Sequence, residues 1–274
     1  MTHVRNQHIV PEFLLKNFSD DASNIWSFDK YAIKERWGNQ KNRAISSAPT
    51  EEYFYDKVIG EKVNSYEYVL RDVETKAAPV IKDLIKNRDI KNISEIEKDV
   101  ITEFLSFQML RTKKQLKKTE DFLNKLYMPV EELTGQSIER NNRTFWLGLL
   151  DTAKEYKKHL LNKTWILAES NNEFYLSDNP VVLQNTTHIR EHRGNLGLES
   201  LGIEIYLPLS SSVVLGLFCN KTVAMEIPNI KCVPEIIENL NWLQIINSDR
   251  FVFSKSNNFD LINKMIEENV PLSD

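Results

Sequence analysis

The chain has 274 residues, of which 41% are hydrophobic, 10% aromatic and 27% charged, proportions that fit an ordinary globular protein and exclude wholesale disorder. Eight Gly and nine Pro exclude collagen-like and low-complexity chains. Thirty-five Lys and Arg against 39 Asp and Glu leave a net charge of -4, so contact with nucleic acid cannot rest on bulk positive charge and has to be local.

From the N-terminus, Met1 to Phe13 lacks the long apolar stretch of a signal peptide, and no run of 18 apolar residues follows. A cytoplasmic protein with no membrane partner is therefore expected. Ile9 to Phe18 reads as a helix, with Pro11 suited to its first turn. Asn24 to Lys30 alternates and predicts a strand; residues 34–50, rich in charge, Asn and Ser, predict a loop. Tyr53-Phe54-Tyr55 reads as a short aromatic strand or turn.

Three long helical patterns come next. They run from about Asn64 to Asn87, from Ser94 to about Tyr127, and from about Arg143 to Leu161. Ser94 and Glu97 have the spacing of a capping box. Beyond Lys163 the period becomes alternating, with strands predicted at Trp165–Glu169, Glu173–Leu176, Val181–Gln184, Ile203–Leu209, Val213–Cys219 and Lys221–Glu226. A short helix at Pro234–Leu243, a strand at Arg250–Ser254 and a helix at Asn258–Glu268 close the chain. Helices first and a mostly antiparallel sheet second predict an α+β fold. We read it as a single domain of two lobes, residues 1–163 mainly helical and 164–274 mainly β with short helices.

Cys219 and Cys232, 13 positions apart and the only two cysteines, exclude a disulfide scaffold and a cysteine-built zinc site. No glycine-rich phosphate loop of the GxGxxG or GxxxxGK[ST] kind occurs.

The chemistry-bearing signal is polar residues on apolar faces. On a wheel of about 100° per residue, Glu67 and Glu74 lie inside the arc of Tyr66, Leu70, Val73, Ala77, Ala78, Ile81, Leu84 and Ile85. A carboxylate there is costly unless a cation or donors meet it. Pro79 should kink that helix one turn after Glu74. In the second helix Gln108 and Arg111 fall within the arc of Ile96, Val100, Ile101, Phe104, Leu105 and Phe107. Arg111 either pairs with Glu67 or Glu74 as structural glue or, with Gln108, grips a phosphate or carboxylate of a substrate.

Two further features could complete a pocket. His8 is fixed just ahead of Val10-Pro11, and Ser177-Asp178-Asn179-Pro180 ends a strand in a turn from which Asp178 either caps or projects as a ligand. The run RTKKQLKK at 111–118 carries five positive charges and is explained by a solvated helix face, nucleic-acid contact being the minor alternative. His188 and His192 sit in a glycine-containing loop and are a weak metal signal.

Gln7-His8-Ile9-Val10-Pro11 with Leu14 and Phe18, Asp29-Lys30, Phe54-Tyr55, Glu74, and Gln108-Met109-Leu110-Arg111 are joined by Ser177-Asp178-Asn179-Pro180, Leu207-Pro208-Leu209-Ser210 and Arg250–Ser254. In this order and spacing, over about residues 5–256, the sequence resembles the domain-of-unknown-function family numbered 4238. One departure is Ser211, where proline is expected after Pro-Leu-Ser. The resemblance implies that the N-terminal His, the Gln/Arg pair and the Ser-Asp-Asn-Pro turn belong to one fold; it supplies no chemistry.

Two functions follow as expectations. The first is a metal-assisted phosphodiester hydrolase, nuclease-like, with His8, Glu74 and Asp178 as catalytic groups. In it Gln108, Arg111 and Asn179 hold the substrate, and Glu67, Glu74 and Asp178 bind a divalent ion, Mg or Mn. Its partner is nucleic acid or a small anionic ligand. The second is a non-enzymatic binding or sensing module, such as a partner protein in a bacterial defence or stress system.

Overall fold

A computed structural model describes residues 5–34, 39–59, 62–187, 195–223 and 228–273. The N-terminal third is more β-rich than its composition suggests. It carries β1 (Asn6–His8), the short helix α1 (Glu12–Lys16), β2 (Asn24–Asp29), β3 (Gln40–Ala44), β4 (Thr50–Glu52) and the hairpin β5 (Asp56–Ile59) and β6 (Lys62–Ser65). β1 pairs antiparallel with β4, setting His8 opposite Thr50, and β2 pairs with β3.

The expected loop over 34–50 is thus corrected in its second half. β3 reads Gln-Lys-Asn-Arg-Ala, and its side chains are exposed or half-buried at a sheet edge, so no apolar alternation marked it. Its backbone ladder to β2 makes it a strand.

Helix α2 (Glu67–Asn87) starts three residues later than its periodicity suggests, because β6 is taken up by its hairpin partner. It continues through Pro79, which lies on its exposed side. The second long pattern is broken in two. Helix α3 (Glu95–Leu110) stops at Arg111, and α4 (Lys113–Thr134) begins after Thr112, whose hydroxyl accepts from the Gln115 amide at 3.3 Å. The capping box is present: Glu97 N donates to Ser94 Oγ at 3.2 Å, and Ser94 N donates to Glu97 Oε2 at 2.8 Å. Helices α5 (Asn142–Leu149) and α6 (Ala153–Leu161) divide the third pattern around a 3-10 turn at 150–152.

The C-terminal part contributes β7 (Thr164–Glu169), β8 (Leu176–Ser177), β9 (Val182–Asn185), β10 (Ile203–Ser210), β11 (Val213–Phe218) and β12 (Asn229–Lys231). Then come helix α7 (Pro234–Asn247), β13 (Phe251–Ser254) and helix α8 (Asp260–Glu267). The strand expected at Lys221–Glu226 is a turn at 221–222 with no strand at Val223, and its remainder lies outside the described residues.

The fold is α+β, as expected. The larger sheet has the order β12-β7-β11-β10-β9, antiparallel except that β12 runs parallel to β7. A second sheet, β3-β2-β13-β8, takes β2 and β3 from before residue 163 and β8 and β13 from after it. Period two decides which residue enters which core. Trp165, Leu167, Ile205, Leu207, Leu215 and Leu217 face the core shared with α2, α3 and α5, while Ala168 and Val214 face a second core beneath α7 and α8.

Candidate functional site

The site is built around the break between α3 and α4. The last turns of α3 are buried over most of their surface: Thr102, Phe104, Leu105, Ser106, Phe107, Gln108 and Leu110 are inaccessible or nearly so, with Glu103 and Met109 half-buried. Two of the polar groups are satisfied by the helix itself, Thr102 Oγ1 bonding Lys98 O at 2.9 Å and Ser106 Oγ bonding Thr102 O at 2.7 Å. The carbonyls freed at the helix end are met by side chains from elsewhere. Trp146 Nε1 donates to Leu110 O at 2.8 Å, and Tyr55 Oη lies 3.2 Å from Arg111 O.

Arg111, 2% exposed, ties three elements together. One terminal nitrogen donates to Glu74 Oε1 of α2. The other donates to the His8 carbonyl of β1 at 2.9 Å, and Nε donates to Tyr55 Oη at 3.1 Å. The glue expected of Arg111 is therefore present, and Glu74 supplies its carboxylate. Burial disfavours the guanidinium charge, but Tyr55 and Glu74 outweigh it and hold the group above its ordinary value. Burial likewise pushes the Glu67 carboxyl up; Arg111 opposes that shift and the Glu74 charge adds to it.

What this arrangement leaves over is more informative than what it joins. His8 Nε2, Glu67 Oε2, Gln108 Nε2 and Gln108 Oε1 are all buried without a hydrogen-bond partner. Gln108 stands one helical turn before Arg111 and is 1% exposed, with both ends of its amide unmatched. Thus His8, Glu67, Glu74, Gln108 and Arg111 belong to the elements that meet at this break.

Sequence reasoning missed the frame that holds His8. Gln7, fully buried, accepts from the Tyr55 amide at 2.6 Å and donates to Asp56 Oδ1 at 2.9 Å, and Ser65 Oγ donates to the same carboxylate. This network fixes β1 against the β5–β6 hairpin. A Gln next to a candidate His was its only sequence trace, and no helical period marked it.

Asp178 and Asn179 are committed elsewhere. The Asp178 carboxylate, 3% exposed, accepts from the backbone amides of Asp249 at 2.7 Å and of Arg250 and Phe251 at 2.8 Å each. It clamps the turn between α7 and β13, which is the capping alternative rather than the projecting ligand. Burial raises its pKa to about 6 against the pull of those amides. Asn179 Nδ2 donates to Asn247 O at 3.1 Å. Neither side chain shares a hydrogen bond with His8, Glu74 or Arg111.

The basic run is not a free patch. Lys113 pairs with Glu51, Lys117 pairs with Asp249 and donates to Tyr31 Oη at 2.8 Å, and Lys114 reaches Ile246 O at 3.3 Å, at the C-terminal end of α7. His188 and His192 lie outside the described residues. Among the described residues no three His, Cys, Asp or Glu side chains are grouped so as to hold a metal ion, so the expected set of Glu67, Glu74 and Asp178 does not assemble. No helix among them is long and apolar enough to cross a membrane.

The chain belongs to the family described as proteins of unknown function, DUF4238, whose profile matches residues 6–258. No match was found among the curated proteins or the solved structures.

Proposed function

We propose that this protein is a binding or sensing module, and that its ligand is held at the α3–α4 break by Gln108, His8 and Glu67. The observation that carries the reading is Gln108, buried beside a fully engaged arginine with both amide ends unmatched. More than about nine in ten buried polar groups in folded proteins are bonded, and each one left over costs about 1–3 kcal/mol. Four such atoms on three elements are explained by a ligand that supplies their partners.

The electrostatics favour a ligand rich in N–H donors over the anion first expected. Arg111 is already neutralised by Glu74, and the unmatched Glu67 oxygen calls for a donor. An amide or nucleobase edge, presenting donor and acceptor side by side, matches a glutamine amide. The hydrolase reading has weaker support, because Asp178 serves the backbone and no metal set forms among the described residues.

The test is Gln108→Leu. If Gln108 serves a ligand, the unliganded variant is at least as stable as the parent, since an apolar group of similar size removes an unmet polar cost. Thermal shifts with adenine, guanine, cytosine and uracil should then be seen in the parent and lost in the variant. A loss of more than about 1 kcal/mol in Gln108→Leu would make the residue structural and defeat the reading. Mn-dependent cleavage of mixed RNA and DNA by the parent, abolished in His8→Ala and Glu74→Gln, would restore the hydrolase.

A further inference from the structure

The larger sheet is only partly covered on its outer face. Helix α7 packs Ile237, Leu240 and Leu243 onto Ala168 and Val214, leaving a cleft of about 470 Å³ between the N-terminal half of α7 and the exposed end of the sheet. Its floor is an aromatic pair: Tyr206 and Phe218 meet edge to face, with ring centroids 5.6 Å apart. Gly216 lets the Phe218 ring lie against the strand, since a Cβ there would stand 2.8 Å from Phe218 Cε2. Ile236 and Leu240 form the wall.

Size and lining both suit a small molecule, since such sites are mostly apolar and run from roughly 300 to 1,000 Å³. Charge narrows the class. The ionised groups on the lining are Glu204 and Glu235, and no Lys, Arg or His is among the described lining residues. Glu204 is held in place: Oε2 accepts from Tyr206 Oη and Gln184 Nε2, each at 2.7 Å, while Oε1 accepts from the Thr186 hydroxyl. Glu235 is exposed in the first turn of α7. An ammonium group would meet two carboxylates at the rim while its apolar body lay on two aromatic rings, which also attract a cation.

We propose that this cleft binds a small cationic amphiphile, an aromatic or alkyl body carrying a protonated amine. The cleft lies on the sheet face turned away from Arg111 and is independent of the site there.

Calorimetric titration of the full chain with 2-naphthylethylamine and, separately, with 2-naphthylacetate at pH 7 tests it, because the two probes share a ring system and differ in charge. Saturable one-to-one binding of the amine is expected, at least 10-fold tighter than that of the carboxylate. Ile236→Arg, at a position 41% exposed, should abolish it. Glu235→Gln, an exposed change that leaves packing intact, should weaken the amine several-fold without weakening the carboxylate, so that the preference between the two probes narrows. Leu133→Arg, at an 88% exposed position on α4, should have no effect. Equal affinity for the two probes, no saturable binding, or parent-like binding by Ile236→Arg would overturn the proposal. Sedimentation showing a dimer that Ile236→Arg dissociates would assign the cleft to a second copy of the chain and also overturn it.

Discussion

Arg111 and Tyr55, 56 residues apart in the chain, hold each other in place: Arg111 Nε donates to Tyr55 Oη at 3.1 Å, and that hydroxyl lies 3.2 Å from the Arg111 carbonyl. The contact closes the end of α3, orients the guanidinium and brings the β1 carbonyl of His8 within 2.9 Å of Arg111 Nη2. Both residues are buried, so no water can replace either bond.

Arg111→Lys should therefore destabilise the fold by about 3 kcal/mol in chemical denaturation, because an ammonium cannot serve Glu74, His8 O and Tyr55 Oη from one planar fork. Glu74 is 22% exposed, which places the cost at the lower end for a broken buried pair. A loss below about 1 kcal/mol would show that water takes over the role of the guanidinium.

Asp178 gives a pH signature. Its folded pKa of about 6 stands above its ordinary 3.8, so the folded protein takes up this proton more readily than the unfolded chain. That contribution to stability is complete below about pH 4 and is lost as pH rises through about 6. Measured against Asp178→Asn, which stays neutral, the parent should lose relative stability between pH 4 and 6 and level off above. A difference that grows in the parent's favour over that window would mean that the three backbone amides outweigh burial.

Lys30 is buried and donates to three carbonyls, Ile245 at 3.0 Å, Ser248 at 2.9 Å and Leu272 at 2.6 Å, joining β2 to the end of α7 and to the C-terminal segment. Lys30→Met keeps the stem and removes the donors. A loss of about 2–3 kcal/mol is expected, within the range for bonds to a charged group. Hydrogen exchange should quicken around residues 268–272 before it does so in α3. Unchanged exchange there would show that apolar packing alone holds the segment.

Ser94→Ala should cost about 1 kcal/mol by removing the cap of α3, as measured by thermal denaturation. No effect would mean that tertiary contacts alone set that helix start.

The sequence by itself determined the α+β class, the four antiparallel strands β7, β9, β10 and β11 of the larger sheet and the start of α3, since each rests on a short-range rule of period or capping; β12, which runs parallel to β7, carried no such mark. It also marked Glu67, Glu74, Gln108 and Arg111 as polar residues on apolar faces, and the burial of Arg111 against Glu74 is the consequence of that pattern. Tertiary structure decided what local period could not carry. β3 is a strand because β2 offers it a ladder, and α3 ends at Arg111 because Trp146 and Tyr55 arrive from elsewhere to satisfy its carbonyls. The role of Asp178 was equally hidden: three amides more than 70 residues away turn a candidate ligand into a backbone clamp. The physical reason is common to all three. A buried polar group takes whichever partner the folded chain brings within hydrogen-bond reach, and that partner leaves no mark in the neighbouring sequence.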